Sequence, residues 1–206
     1  MTFATTTQEN KVAAVTLAFW VFKFLATTLG ELSGDFLSIT LGLGDGLAFL
    51  STFAVTMILL VAQIKATRFH SLRYWTSMIA TVALSSESSD FLSIHLFYGH
   101  GLDTLIFALC TLTVFGIWQR FRGPIRSYPI RQRQEELLYW AAVFFASGLG
   151  VASGDFLTDS AGIGVLTGAL MSAGVLAMVL IAYYLSRINR SLLFWVAFVF
   201  TRPFGV

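Results

Sequence analysis

Asp35, Asp90 and Asp155 are the residues whose type and spacing best suit chemistry. Each opens the same run, Asp-Phe-Leu, and each stands fifteen residues after a tryptophan, Trp20, Trp75 and Trp140. All three acids lie in strongly apolar segments. An ionised group at the centre of a membrane-spanning helix costs about 2.5–3.5 kcal/mol, so it normally faces a partner or a water-filled space. The chemistry open to such a carboxylate is that of a hard oxygen ligand for a cation, or of a proton carrier.

Helical spacing groups further residues with these acids. Positions three, seven, eleven and fifteen after each Trp share one helix face, because neighbours four apart stack. The first stripe is Lys23, Thr27, Glu31 and Asp35; the second is Met78, Val82, Ser86 and Asp90. The third is Val143, Ser147, Val151 and Asp155. A fourth unit opens at Trp195 with Phe198 and Arg202, and the sequence stops at Val206 before an Asp would arrive. A complete fourth copy would supply a fourth Asp and a pseudo-fourfold architecture.

Glu31, Asp35, Asp90 and Asp155 set against Lys23 and Arg202 leave two surplus negative charges. A cation or protons would offset them. The expected site therefore has Glu31, Asp35, Asp90 and Asp155 as ion or proton ligands and Lys23 and Arg202 as built-in counter-ions. Thr27, Ser86 and Ser147 add neutral oxygens. The structural alternative has the two cations satisfying two of the acids, with the others protonated or capped by backbone. The second unit adds Glu87, His95, His100 and Asp103, and His95 with His100 is a weaker candidate pair for Zn²⁺ or Mn²⁺. No cofactor is indicated beyond a bound cation.

The elements that must hold these residues are membrane helices. Hydrophobic residues make up 56% of the chain and charged residues 12%, against roughly 25% charged in soluble domains, and mean hydropathy is +0.77. Seven apolar stretches come near the ~17–25 residues needed to cross a bilayer. They run Val12–Ser38, Leu47–Ile64, Leu72–Phe91, Leu102–Trp118, Leu137–Leu157, Gly162–Leu185 and Ser191–Val206. No cleaved signal peptide is recognisable at the polar N-terminus. Eleven of the thirteen basic residues lie before the first stretch or in alternate connections, and eight of the eleven acids lie at the opposite ends. The positive-inside rule then puts the N-terminus in the cytoplasm. The arginine-rich connection 120–134 reads as a topology determinant rather than a nucleic-acid site. The seventh stretch lacks a lysine for a Schiff base, which excludes a retinal protein.

The chain reads as one transmembrane domain, 1–206, of tandem two-helix units at approximately 12–68, 69–126, 134–188 and an incomplete 189–206. Each unit holds two spans, so all copies point the same way across the membrane. Small residues four apart, Gly30 and Gly34, Ser85 and Ser89, Gly150 and Gly154, permit close backbone approach. They predict that the first helices of the units gather around a common centre. Gly42 and Gly44, Gly99 and Gly101, and Gly162 and Gly164 mark the outer turns.

Phe19-Trp20 with Leu25-Ala26-Thr27-Thr28-Leu29-Gly30-Glu31, then Tyr74-Trp75, Tyr139-Trp140, and Phe194-Trp195 with Thr201-Arg202-Pro203 resemble a family across nearly the whole chain. It is a group of bacterial multi-pass membrane proteins of unknown function. Its members have four tandem units, each with two transmembrane segments and a characteristic Trp. The resemblance implies an all-α membrane protein of the bacterial inner membrane, here with seven transmembrane helices and an eighth missing.

From the residues, the expected function is a small-cation or proton-coupled transporter built on the repeated Asp residues. The alternative is a non-catalytic structural or assembly subunit whose buried charges fix helix packing. An enzyme comes third, resting on His95, His100 and nearby acids. The expected partners are the lipid bilayer, a small cation, and a membrane protein or a second copy of the chain, with no nucleic acid.

Overall fold

In the computed structural model, which describes residues 10–97, 99–160, 162 and 164–201, the apolar stretches form seven helices and no strand. They are α1 (Leu17–Asp35), α2 (Gly44–Lys65), α3 (Ser71–Phe91), α4 (His100–Arg122), α5 (Arg133–Asp155), α6 (Val165–Leu185) and α7 (Arg190–Phe200). Local chemistry sets several of the ends. The Thr16 hydroxyl accepts from the Phe19 amide at 3.4 Å and starts α1. Asn189 starts α7 by accepting from the Ser191 amide at 2.9 Å. Side-chain caps of this kind satisfy amide groups that a first turn leaves unpaired.

A feature absent from the sequence reading follows α1, α3 and α5. Each α-helix passes into a short π-helical segment, Phe36–Thr40, Leu92–Phe97 and Phe156–Ser160. The Leu41 amide, for example, donates to Phe36 O five residues back at 2.9 Å. Gly42 and Gly44 then take the left-handed conformation, φ 64° and 70°, that turns the chain into α2.

Among the described residues four helices are long and apolar enough to cross a membrane: α2, α4, α5 continued to Thr158, and α6. The share of each span buried inside the protein separates an inner from an outer set. It is 56% for α5 but 22%, 28% and 11% for α2, α4 and α6. Inner helices face other helices, which explains why α1, with Lys23 and Thr27, and the serine-rich α3 tolerate buried polar groups.

The inner helices pack in sequence, α1 on α3, α3 on α5 and α5 on α7. α1 and α3 run parallel, since Phe19 meets Trp75, Gly30 meets Ala83, and Gly34 meets Glu87. The predicted small-residue ladder is the seat of this contact. A Cβ on Gly30 would stand 3.0 Å from both Ala83 N and Ile79 O.

The outer helices pack mainly against the unit that follows them. α2 lies along α3, α4 along α5 and α6 along α7, while α1 and α2 touch only sparsely. Hydroxyls fix the first of these pairs. Thr56 donates to Ala80 O at 3.0 Å, Ser77 to Leu59 O at 3.4 Å and Thr52 to Glu87 Oε1 at 2.9 Å. In the second pair the Phe107 ring of α4 fills the notch left by the missing side chain of Gly148 on α5.

At the Trp end an extended strap, Asn10–Ala13, crosses the bundle. The Lys11 amide donates to Ile130 O at 2.9 Å, and Asn10 accepts from the Phe69 amide with its carbonyl and from the Ile130 amide with its side-chain oxygen, both at 3.0 Å. The Lys11 ammonium forms a buried ion pair with Glu136 on the first turn of α5 and donates to Ile64 O at 2.9 Å. Gln63 donates to both Lys11 O and Glu136 Oε1 at 3.0 Å.

Candidate functional site

The inner helices contribute matched levels of side chains, beginning with their aromatic pairs. Within each pair the two rings meet nearly edge to face: Phe19–Trp20, Tyr74–Trp75, Tyr139–Trp140 and Phe194–Trp195, at 5.1–5.6 Å and 83–90°. The first ring of each pair then meets the Trp of the next. Phe19 reaches Trp75 (5.7 Å), Tyr74 reaches Trp140 (5.5 Å) and Tyr139 reaches Trp195 (5.9 Å). Phe194 reaches back to Trp20 at 5.5 Å, so the series closes on itself. The hydroxyls of Tyr74 and Tyr139, both fully buried, share a hydrogen bond of 2.6 Å.

Three residues further along lie Lys23, Met78, Val143 and Phe198, each no more than 1% exposed. The Lys23 ammonium donates to Thr27 Oγ1 at 2.8 Å and rests 4.2 Å from the centre of the Phe198 ring. One turn on come Thr27, Val82 and Ser147, again buried. Then follow Glu31, Ser86 and Val151, of which Glu31 is half-buried. The stripes expected from the sequence thus turn inward, and they loosen toward the acids.

Asp35 is exposed, and Asp90 and Asp155 are half-buried. Asp35 and Asp155 end their α-helices where the π segments begin, and Asp90 comes one residue before that point. π-Helical turns are rare and concentrate at functional sites. The last turns of α1, α3 and α5 contain no basic residue. Carboxylates therefore add to the negative end of each helix dipole instead of offsetting it, which draws cations.

Glu87, which the sequence reading left outside the acid column, reaches this level from α3. Its Oε1 accepts from Thr52, Gly34 makes room for it, and Asp35 is near enough for the two carboxylates to repel. Its partners lie thirty-five and more residues away, so no local motif announces it.

His95 is placed elsewhere. It stacks on Phe91 at 4.9 Å and its Nε2 lies 3.8 Å from Asp45, with both side chains exposed. The His100 side chain and Arg202 lie outside the described residues. Among the described residues no three His, Cys, Asp or Glu side chains are grouped to hold a metal.

The family model described as a Repeat of Unknown Function (DUF347) matches residues 18–69 and 138–189, together just over half of the chain. The chain belongs to this repeat family. One DUF347 repeat covers α1, its π segment and α2, and the other covers α5 from Leu138 onward, its π segment and α6. A repeat is therefore one inner helix, an acid at a π turn and one outer helix. The Asp of each matched DUF347 repeat falls inside the matched region. Comparison with curated proteins and with solved structures finds no match.

Proposed function

We propose that this chain is a seven-span protein of the bacterial inner membrane that binds small cations or protons at its acid end and conducts them through its centre. In this reading four parallel units surround a pseudo-fourfold axis, with repeat boundaries near 12–68, 69–126, 134–188 and 189–206. The self-closing aromatic series supports that arrangement. The charge asymmetry of the connections orients the N-terminus and the strap toward the cytoplasm.

One observation carries the function. Acids recur where three inner helices turn from α to π, at the negative ends of the helix dipoles. Asp35, Asp90 and Asp155 are the ligands or proton carriers, Glu31 an additional ligand, and Lys23 and Arg202 the counter-ions. Glu87 joins the site beside Asp35.

The test is thermal unfolding of the detergent-purified protein across pH and a panel of mono- and divalent cations. A ligand at ~100 times its Kd stabilises the folded state by about 2.7 kcal/mol. The expected result is a rise in Tm with a selective cation, or across a narrow pH range, that disappears in the Asp35→Asn/Asp90→Asn/Asp155→Asn variant. An undiminished shift in that variant would remove the acids from the site.

A second reading, a structural subunit, draws on the outward face of α1. Leu17, Val21, Leu25, Leu29 and Leu32 are bare there, whereas the outer helices cover α3 and α5. The same experiment favours it if no cation shifts Tm and the Asn variant is merely less stable.

A further inference from the structure

We infer that Thr27 and the Phe198 ring form an inner site for a monovalent cation, that the Lys23 ammonium occupies it as a tethered substitute, and that Ser147, in matching register on α5, receives the ion as it moves on. The inference rests on the cation reading of the acid end and adds where a cation goes next and what holds it back.

Four observations meet across two adjacent levels of the bundle. Lys23 is 1% exposed, and its ammonium donates to Thr27 Oγ1, which in turn donates to Lys23 O at 2.8 Å. The positions in matching register, Met78, Val143 and Phe198, are closed to solvent, so the bundle is shut here. The Phe198 ring supplies the face on which the ammonium rests. Ser147, 2% exposed and in register with Thr27, has a buried Oγ with no hydrogen-bond partner among the described residues. Buried hydroxyls normally find partners, and an unmet one calls for a ligand.

The chemistry selects the ligand. Hydroxyl oxygens and an aromatic face suit an ammonium, and equally a weakly hydrated monovalent ion of similar size. They suit Mg²⁺ or Ca²⁺ badly, since those ions demand carboxylates or retained water. A cation arriving from the acids meets the fixed charge of Lys23 and advances only when that side chain leaves Thr27. Lys23 thereby acts as a gate that keeps the passage from being an open pore, and Ser147 Oγ is the oxygen waiting for the incoming ion.

Flux of K⁺ and of methylammonium into proteoliposomes tests the inference, with Mg²⁺ as comparison. Lys23→Met keeps the length of the side chain and removes its charge. It is expected to raise monovalent flux about tenfold, the change ~1.4 kcal/mol would produce, and to leave Mg²⁺ flux low. Ser147→Ala added to Lys23→Met is expected to cancel the gain. If Lys23→Met does not yield folded protein, Ser147→Ala alone carries the test and is expected to lower K⁺ flux about tenfold.

Flux unchanged in the folded variants, while the Asn variant still loses its cation-dependent Tm shift, overturns the inner site and leaves the acid site standing. An equal rise in Mg²⁺ flux also overturns it, because the opened path would then be unselective. No cation response in any form removes the acid site and the inner site together.

Discussion

Glu136→Gln is expected to destabilise the folded protein by about 3–5 kcal/mol, the usual result of stripping one partner from a buried ion pair. Lys11 is 5% exposed and Glu136 fully buried, so water cannot take over the abandoned charge. The loss spreads, because Gln63 binds both Lys11 O and Glu136, and the Lys11 ammonium also holds Ile64 O at the end of α2. Thermal unfolding in detergent should show Tm lower by on the order of 10 °C. The double variant Lys11→Met/Glu136→Leu should recover most of that, since well-packed apolar pairs often replace buried ion pairs at little cost. A double variant as unstable as Glu136→Gln would show that the strap needs the charges themselves.

Gly30→Ala should be the most damaging small change at the α1–α3 contact. The added methyl would meet the backbone of α3 on two sides, and backbone cannot swing away as a side-chain tip can. Overpacking of this kind costs about 1–3 kcal/mol, and here relief requires the two helices to separate. Separation would also move Asp35 away from Glu87, so the variant should change cation-dependent Tm shifts as well as stability. Gly116→Ala on α4 is the control. Nothing lies within 4 Å of its added methyl, and Ala is favoured over Gly in a helix by about 1 kcal/mol. Equal Tm losses in both variants would disprove the steric explanation.

These two predictions fall on opposite sides of what the sequence made legible. Gly30 stood out because Gly30 and Gly34 recur as Ser85 and Ser89 and as Gly150 and Gly154, and the Trp-to-Asp interval fixed which face they share. Apolar length located the helices, and the four-residue step located the column that is inward at Lys23 and Thr27 and opens toward Asp35. Glu136 gave no such signal. It sits among Arg131, Arg133 and Glu135, where a charge ordinarily reads as solvated. Its burial comes from Lys11, 125 residues earlier, through a strap too short and irregular to carry a periodic pattern. The π segments were equally hidden, since Phe36–Thr40 and Leu92–Phe97 share no residue type that would force a wider turn. Glu87 was visible as an acid, but its approach to Gly34 depends on how α1 and α3 dock.

The displaced packing of the outer helices has a consequence for biogenesis. Each return helix finds its seat on a helix that the ribosome has not yet made. The acceptors that Thr52 and Thr56 of α2 use in the folded protein, Glu87 and Ala80 O, arrive only with α3. Likewise the notch that receives Phe107 arrives only with α5. Every two-helix unit thus completes its packing only with its successor, as a zipper closed from the N-terminal side would. A break between units would leave the upstream outer helix without its seat, so the repeats are a series of overlapping clasps rather than interchangeable beads.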